Sequence, residues 1–186
     1  MLSPDQRKQL LRLARTTIAA VLERRPTETN EADFDETLRK PSGVFVTLTT
    51  HDDDLRGCIG SIEPVAPLYK AVVASAINAA FRDPRFNPVR EGELDALRIE
   101  ISVMGPIERV TNVEDIVVGR DGLIISRGRN AGLLLPQVAT DYGWDRETFL
   151  RHTCQKAGLP ADAWRLADTS IEKFSAEVFG EEELSR

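Results

Sequence analysis

Apolar residues recur at helical spacing near the start of the chain. Leu10, Leu11, Ala14, Ile18, Val21 and Leu22 share one face, which predicts an amphipathic helix over 4–24. Ser3-Pro4-Asp5-Gln6 is its start signal: Ser3 caps, Pro4 suits the first helical position and Gln6 closes a capping box. Pro26 ends it. From 26 to 41 the apolar pattern gives way to Thr27, Glu28, Thr29, Asn30, Glu31, Asp33, Asp35 and Glu36, which reads as an exposed, mobile connector. Alternation then takes over. Val44, Val46 and Leu48 lie on one face of a strand, and a second strand follows over 55–62. The acidic turn His51-Asp52-Asp53-Asp54 between them predicts a β-hairpin.

Leu68, Val72, Val73, Ala76, Ile77, Ala80 and Phe81 restore the helical period and predict a largely buried helix over 66–81. Residues 81–88 contain Pro84 and Pro88, which push their predecessors toward extended backbone, so this is a structured loop. Leu97, Ile99, Ile101 and Val103 share the face of a half-buried strand, which Gly105-Pro106 is expected to break. A short helix over 113–117, a second hairpin (123–127 with 131–135), a helix from Pro136 to about Tyr142 and a helix capped by Asp145 come next. Gly158-Leu159-Pro160 closes that last helix, and a final strand spans 171–178. Strand pairs joined as hairpins and interleaved with helices make the fold class α+β, with a mainly antiparallel sheet and flanking helices.

A length of 186 residues suits one domain, or one domain with a lobe. The 24 Lys+Arg against 30 Asp+Glu leave a net charge of −6, which argues against non-specific binding to nucleic acid or anionic membrane while permitting a local basic groove. No apolar run reaches the ~18 residues of a membrane span. The first residues lack the basic-then-apolar pattern of a signal peptide. Cys58 and Cys154 cannot build a disulfide framework, so a reducing cytoplasm is the simplest compartment.

The segment Leu55-Arg56-Gly57-Cys58-Ile59-Gly60 is the most unusual local pattern. Glycines inside a strand mark a bulge or the close approach of a ligand or another backbone, so Gly57 and Gly60 are candidate ligand contacts. A thiolate is nucleophilic and cations favour it. Arg56 lies close in sequence to Cys58, but alternation along a strand leaves its approach to the thiol unassured. The bland alternative is a small buried apolar residue. Arg82-Asp83-Pro84-Arg85-Phe86 sets two guanidiniums and a carboxylate between prolines; it binds an anion through its arginines, or Asp83 pairs with an arginine to fix the loop. Glu100 sits opposite the apolar face of its strand, as a general base if that face is covered and as a solvated residue if it is open. His51, His152, Cys58 and Cys154 have no metal-site spacing, Cys154 reads as core, and no nucleotide-binding fingerprint or cofactor motif appears. Trp144 and Trp164 read as packing anchors.

Leu-Arg-Gly-Cys-Ile-Gly at 55–60 resembles the hallmark hexapeptide of the AMMECR family, named after the Alport-syndrome, midface-hypoplasia and elliptocytosis chromosomal-region protein. Its prokaryotic members are the AmmeMemoRadiSam system protein A group. The blocks at 80–88, 100–104, 119–123, 134–139 and 154–159 resemble later family motifs in the same order. The resemblance covers nearly the whole chain and implies a single α+β domain over 1–186 with one larger and one smaller lobe, the hexapeptide near a cleft. It also implies work beside a Memo-like protein and a radical S-adenosylmethionine protein, in a modification pathway that acts on RNA or a nucleotide. It draws Arg56, Cys58, Asp83, Arg85 and Glu100 together as site candidates without naming a reaction.

Two readings follow. In the first, the domain is a non-catalytic module that binds a ligand or pathway partner. In the second, it is an enzyme: Cys58 is the nucleophile, Arg56 and Arg85 hold an anionic substrate, and Glu100 or Asp83 moves a proton. No cofactor or metal is expected on either, and the oligomeric state is open.

Overall fold

The computed structural model describes residues 1–27 and 29–184. Helix α1 (Pro4–Leu22) begins at the capping box: the Gln6 N–H donates to Ser3 Oγ at 3.2 Å, and the Ser3 N–H donates to Gln6 Oε1 at 2.7 Å. Its buried stripe is Leu10, Leu11, Ala14, Thr17 and Ile18. The chain leaves the helix through Arg24 in the left-handed region, φ 54°.

The connector is less exposed than its composition suggests. A single 3₁₀ turn (Glu31–Asp33) and a short helix α2 (Glu36–Arg39), capped by Asp35, carry two anchors into the core. Leu38 is fully buried, and Phe34 stacks on Tyr69 with ring centroids 4.2 Å apart. Two isolated apolar residues show no period, so periodicity alone passed over them.

Strands β1 (Val44–Thr50) and β2 (Leu55–Ser61) form the expected hairpin, and β3 (Leu97–Arg109) pairs antiparallel with the other side of β1. Helix α3 (Leu68–Phe81) covers the inner face. That face carries the row Ile59–Val46–Ile101 and the row Gly57–Leu48–Ile99. A Cβ on Gly57 would sit 2.2 Å from the Ala79 carbonyl oxygen, so the glycine is what lets α3 approach this closely.

Strand β3 does not break at Gly105-Pro106, as the residue types suggested; it runs on to Arg109. Its pairing with β1 ends at Val103, so beyond that point one side of the strand carries no ladder and a missing N–H is tolerated. Gly105 is used for contact: a Cβ there would meet Ser175 Oγ at 2.2 Å. The remaining elements are β4 (Asp121–Arg127), β5 (Asn130–Leu134), α4 (Pro136–Asp141), α5 (Arg146–Lys156) and β6 (Ser170–Gly180). The sheet order is β2-β1-β3-β6-β4-β5, which gives the α+β class with antiparallel pairing.

Two compact units divide the chain, one of residues 1–104 with 177–186 and one of residues 105–176. In the first, α1, α3 and the inner faces of β1 and β3 share one core. The second is built around Leu123, Ile125, Phe149, Leu150 and Cys154. Within the first unit, Glu177 accepts from the Leu2 N–H and from Arg7, while Glu181 accepts from Arg15 and from the Ile99 N–H. None of the helices is long and apolar enough to cross a membrane, among the described residues.

Candidate functional site

The hexapeptide forms β2, the outermost strand of the sheet. An edge strand presents unpaired N–H and C=O groups. At Cys58 both are taken. Its N–H donates to Asp83 Oδ2 at 2.9 Å, and its carbonyl accepts from Arg85 Nη2 at 3.2 Å. The loop after α3 thereby acts as a one-residue strand partner. Asp83 is buried and accepts three further bonds from Arg85: the backbone N–H at 3.1 Å, Nε at 2.9 Å and Nη2 at 2.7 Å. Those guanidinium bonds hold the Asp83 carboxyl far below the usual carboxylate range; burial opposes them and loses, and the Cys58 N–H adds to the lowering.

The Cys58 side chain is half-buried on the outer face, where the cross-strand row is Cys58–Thr47–Glu100. The Thr47 hydroxyl lies 3.2 Å from Cys58 Sγ, at hydrogen-bonding distance. Glu100 is exposed and stands on the strand beyond Thr47. Two strand spacings put its backbone about 10 Å from that of Cys58. Cys154, by contrast, is wholly buried in the second unit, and burial pushes its thiol pKa up.

Arg56 is set apart by a bulge. Leu48 pairs with Gly57 and Thr49 with Leu55, so Arg56 is the extra residue on β2. Its guanidinium turns to Glu93, with contacts of 3.3–3.4 Å, longer than the ~2.8 Å of a tight charge-assisted bond. Nη1 is buried with no hydrogen-bond partner among the described residues.

Arg56, Arg85 and Arg90 line one open cavity of about 680 Å³ with Phe86, Asn87, Pro88 and the acidic pair Glu91 and Glu93. Arg85 and Arg90 have N–H capacity to spare, while the unpartnered N–H group of Arg56 is buried. Arg56 Nη1 is unpartnered, Arg85 Nη1 takes no part in the Asp83 clamp, and the Arg90 side chain makes no bond to any described residue.

The structure therefore gathers Cys58, Asp83 and Arg85 at one strand edge and sets Arg56 and Arg85 in one cavity. Cys58 is not in that cavity's lining. Gly57 and Gly60 are packed by the chain itself: a Cβ on Gly57 meets α3, and one on Gly60 meets the Val44 carbonyl oxygen at 2.1 Å. Reasoning from sequence missed Thr47, Arg90 and Glu93. The charged run Arg90-Glu91-Gly92-Glu93 was a readable signal; Thr47 emerges only once the hairpin register is known. No group of three or more His, Cys, Asp or Glu is placed to hold a metal, among the described residues.

Comparison with known proteins identifies relatives along almost the whole chain. A protein of Thermococcus onnurineus is 47% identical, over 93% of this chain and 89% of its own. One from Methanopyrus kandleri is 46% identical, over 98% of this chain and 91% of its own. The crystal structure of an uncharacterized protein from Pyrococcus horikoshii superposes with a TM-score of 0.85 at 45% identity, covering 93% of this chain and 90% of that one. The AMMECR1 family model matches residues 11–179, and the chain belongs to that family.

Proposed function

We propose that this protein is a recognition component of a modification pathway, working in the cytoplasm beside Memo-like and radical S-adenosylmethionine proteins, and that its first unit holds an anionic group in the cavity of Arg56, Arg85 and Arg90. The observation that carries the reading is three guanidiniums lining one cavity, two of which, Arg85 and Arg90, keep N–H groups that no described residue uses. Guanidinium forks match carboxylate and phosphate oxygens. Asp83 holds Arg85 in place before any ligand arrives, which lowers the ordering cost of binding. Arg56 is desolvated but loosely paired, so an anion that completes its hydrogen bonding displaces little.

The enzyme reading, with Cys58 as nucleophile, has less support. The group placed on Sγ is the Thr47 hydroxyl, which is not a base at neutral pH, and Glu100 stands a strand further away.

The test is calorimetric titration of the full chain with sodium phosphate and, separately, sodium acetate at low ionic strength. Saturable binding of either, weakened about tenfold or more in Arg56→Gln and Arg90→Gln, supports the reading. Absence of saturable binding, or binding indifferent to both substitutions, overturns it. The pathway assignment is tested by co-purification with a purified Memo-like and a radical S-adenosylmethionine protein, and retention of neither counts against it.

A further inference from the structure

We infer that the ligand of the arginine cavity carries a planar ring joined to a phosphoryl group, the chemistry of a nucleoside phosphate, with the ring packed on the Arg85–Phe86 wall. This rests on the anion reading above and deepens it. Volume is the first argument. About 680 Å³ is far more than a bare inorganic anion fills and lies within the range of pockets for small organic ligands.

The second argument is the composition of one wall. Arg85, Phe86, Asn87 and Pro88 are four consecutive lining residues. Phe86 is half-buried, and the Arg85 guanidinium lies 5.4 Å from its ring centroid. A guanidinium beside a phenyl ring offers a polarisable surface to a heterocycle, and packing on an aromatic face tolerates any base. Asn87 is exposed and brings an amide with both donor and acceptor to the same wall, as the edge of a heterocycle requires.

The third argument is rigidity. The wall hangs between two buried anchors, Asp83 and Val89. The Phe86 N–H donates to the Asp83 carbonyl at 3.1 Å, and the Val89 N–H donates to the Ala80 carbonyl at 2.9 Å. Pro84 and Pro88 restrict the backbone between them. A wall fixed in this way loses little freedom when a ring packs on it. Arg90, whose side chain has no partner among the described residues, and Arg56 then line the same cavity for the phosphoryl oxygens.

Calorimetry with four probes separates the two readings: inorganic phosphate, ribose 5-phosphate, AMP and UMP. The expected result is that AMP and UMP bind about tenfold or more tightly than ribose 5-phosphate. In Phe86→Leu that advantage disappears while ribose 5-phosphate affinity stays within about twofold of the parent, since no phosphoryl contact is removed. Equal binding of AMP, UMP and ribose 5-phosphate overturns the ring assignment and leaves the anion site standing. No binding by any probe overturns both. The comparison among probes is made on the unaltered chain, so it decides the question even where Phe86→Leu folds poorly.

Discussion

Replacing Asp83 by Asn is the sharpest probe of the clamp on β2. The substitution keeps size and shape but turns one oxygen into an NH₂ group. Oδ1 accepts from the Arg85 N–H and Nε; Oδ2 accepts from the Cys58 N–H and Arg85 Nη2. Whichever oxygen is lost, the new amide confronts two donors. One is a backbone N–H left unsatisfied, at a cost of about 1–3 kcal/mol. The other is a guanidinium N–H on a side chain about half exposed, so solvent replaces much of that bond and its loss adds about 1 kcal/mol or less. The sum is about 3 kcal/mol at pH 7, or roughly a 6–12 °C drop in Tm for a chain of this length. Because the folded-state carboxyl lies below its unfolded value of about 3.9, its contribution is fully present above that pH and is lost as pH falls toward the folded value. The gap between parent and variant is therefore constant from pH 7 to about 5 and narrows by up to about 1.4 kcal/mol per unit below about pH 4. Urea unfolding across that range measures it, and hydrogen exchange at the Cys58 amide reports the clamp directly. A gap under about 1 kcal/mol at neutral pH, or one that widens on acidification, refutes the reasoning.

Native-state alkylation followed by peptide mass spectrometry should modify Cys58 and spare Cys154, with rates at least about a hundredfold apart, since the second thiol is fully enclosed and its pKa is raised. Comparable rates would mean that the second unit opens readily. Gly57→Ala should cost about 3 kcal/mol or more, because its methyl meets the Ala79 carbonyl of α3. Gly92→Ala meets no neighbour and costs about 1 kcal/mol for its φ of 86° alone; chemical denaturation reads both. Phe34→Ala should remove about 3–4 kcal/mol through the lost Tyr69 stack and the cavity left behind, whereas a loss below about 1 kcal/mol would show the connector to be unanchored.

Regular elements were readable because their periods are set by backbone geometry. Val44, Val46 and Leu48 on β1, and Ile99 and Ile101 on β3, alternate in sequence and lie buried on one face. The capping box of α1 was legible because it is local, three residues wide. What escaped depends on contacts distant in sequence. Phe34 is apolar among polar neighbours and makes sense only beside Tyr69. Pro106 signals a strand end in isolation, yet β3 has already lost one partner there. The site behaves in the same way. Asp83 pairing with an arginine was one of two readings open from residue types, and the structure realises it with Arg85. The bulge that redirects Arg56 is a property of register, so its pairing with Glu93 was invisible until β1 and β2 were aligned.

The two carboxylates of Glu177 and Glu181 have a kinetic consequence. They join α1 and β3 of the first unit from positions that follow the whole of the second unit in the chain. During vectorial synthesis Arg7, Arg15 and the Ile99 N–H emerge long before their partners, and residues 105–176 are made in between. The second unit can therefore mature first, although its residues come later than most of the first. The first unit waits with its edge contacts open, and its closure joins groups 166 or more residues apart in the Arg15–Glu181 and Arg7–Glu177 pairs. Such long-range closure slows the final folding step and makes residues 177–181 the latch that ends it.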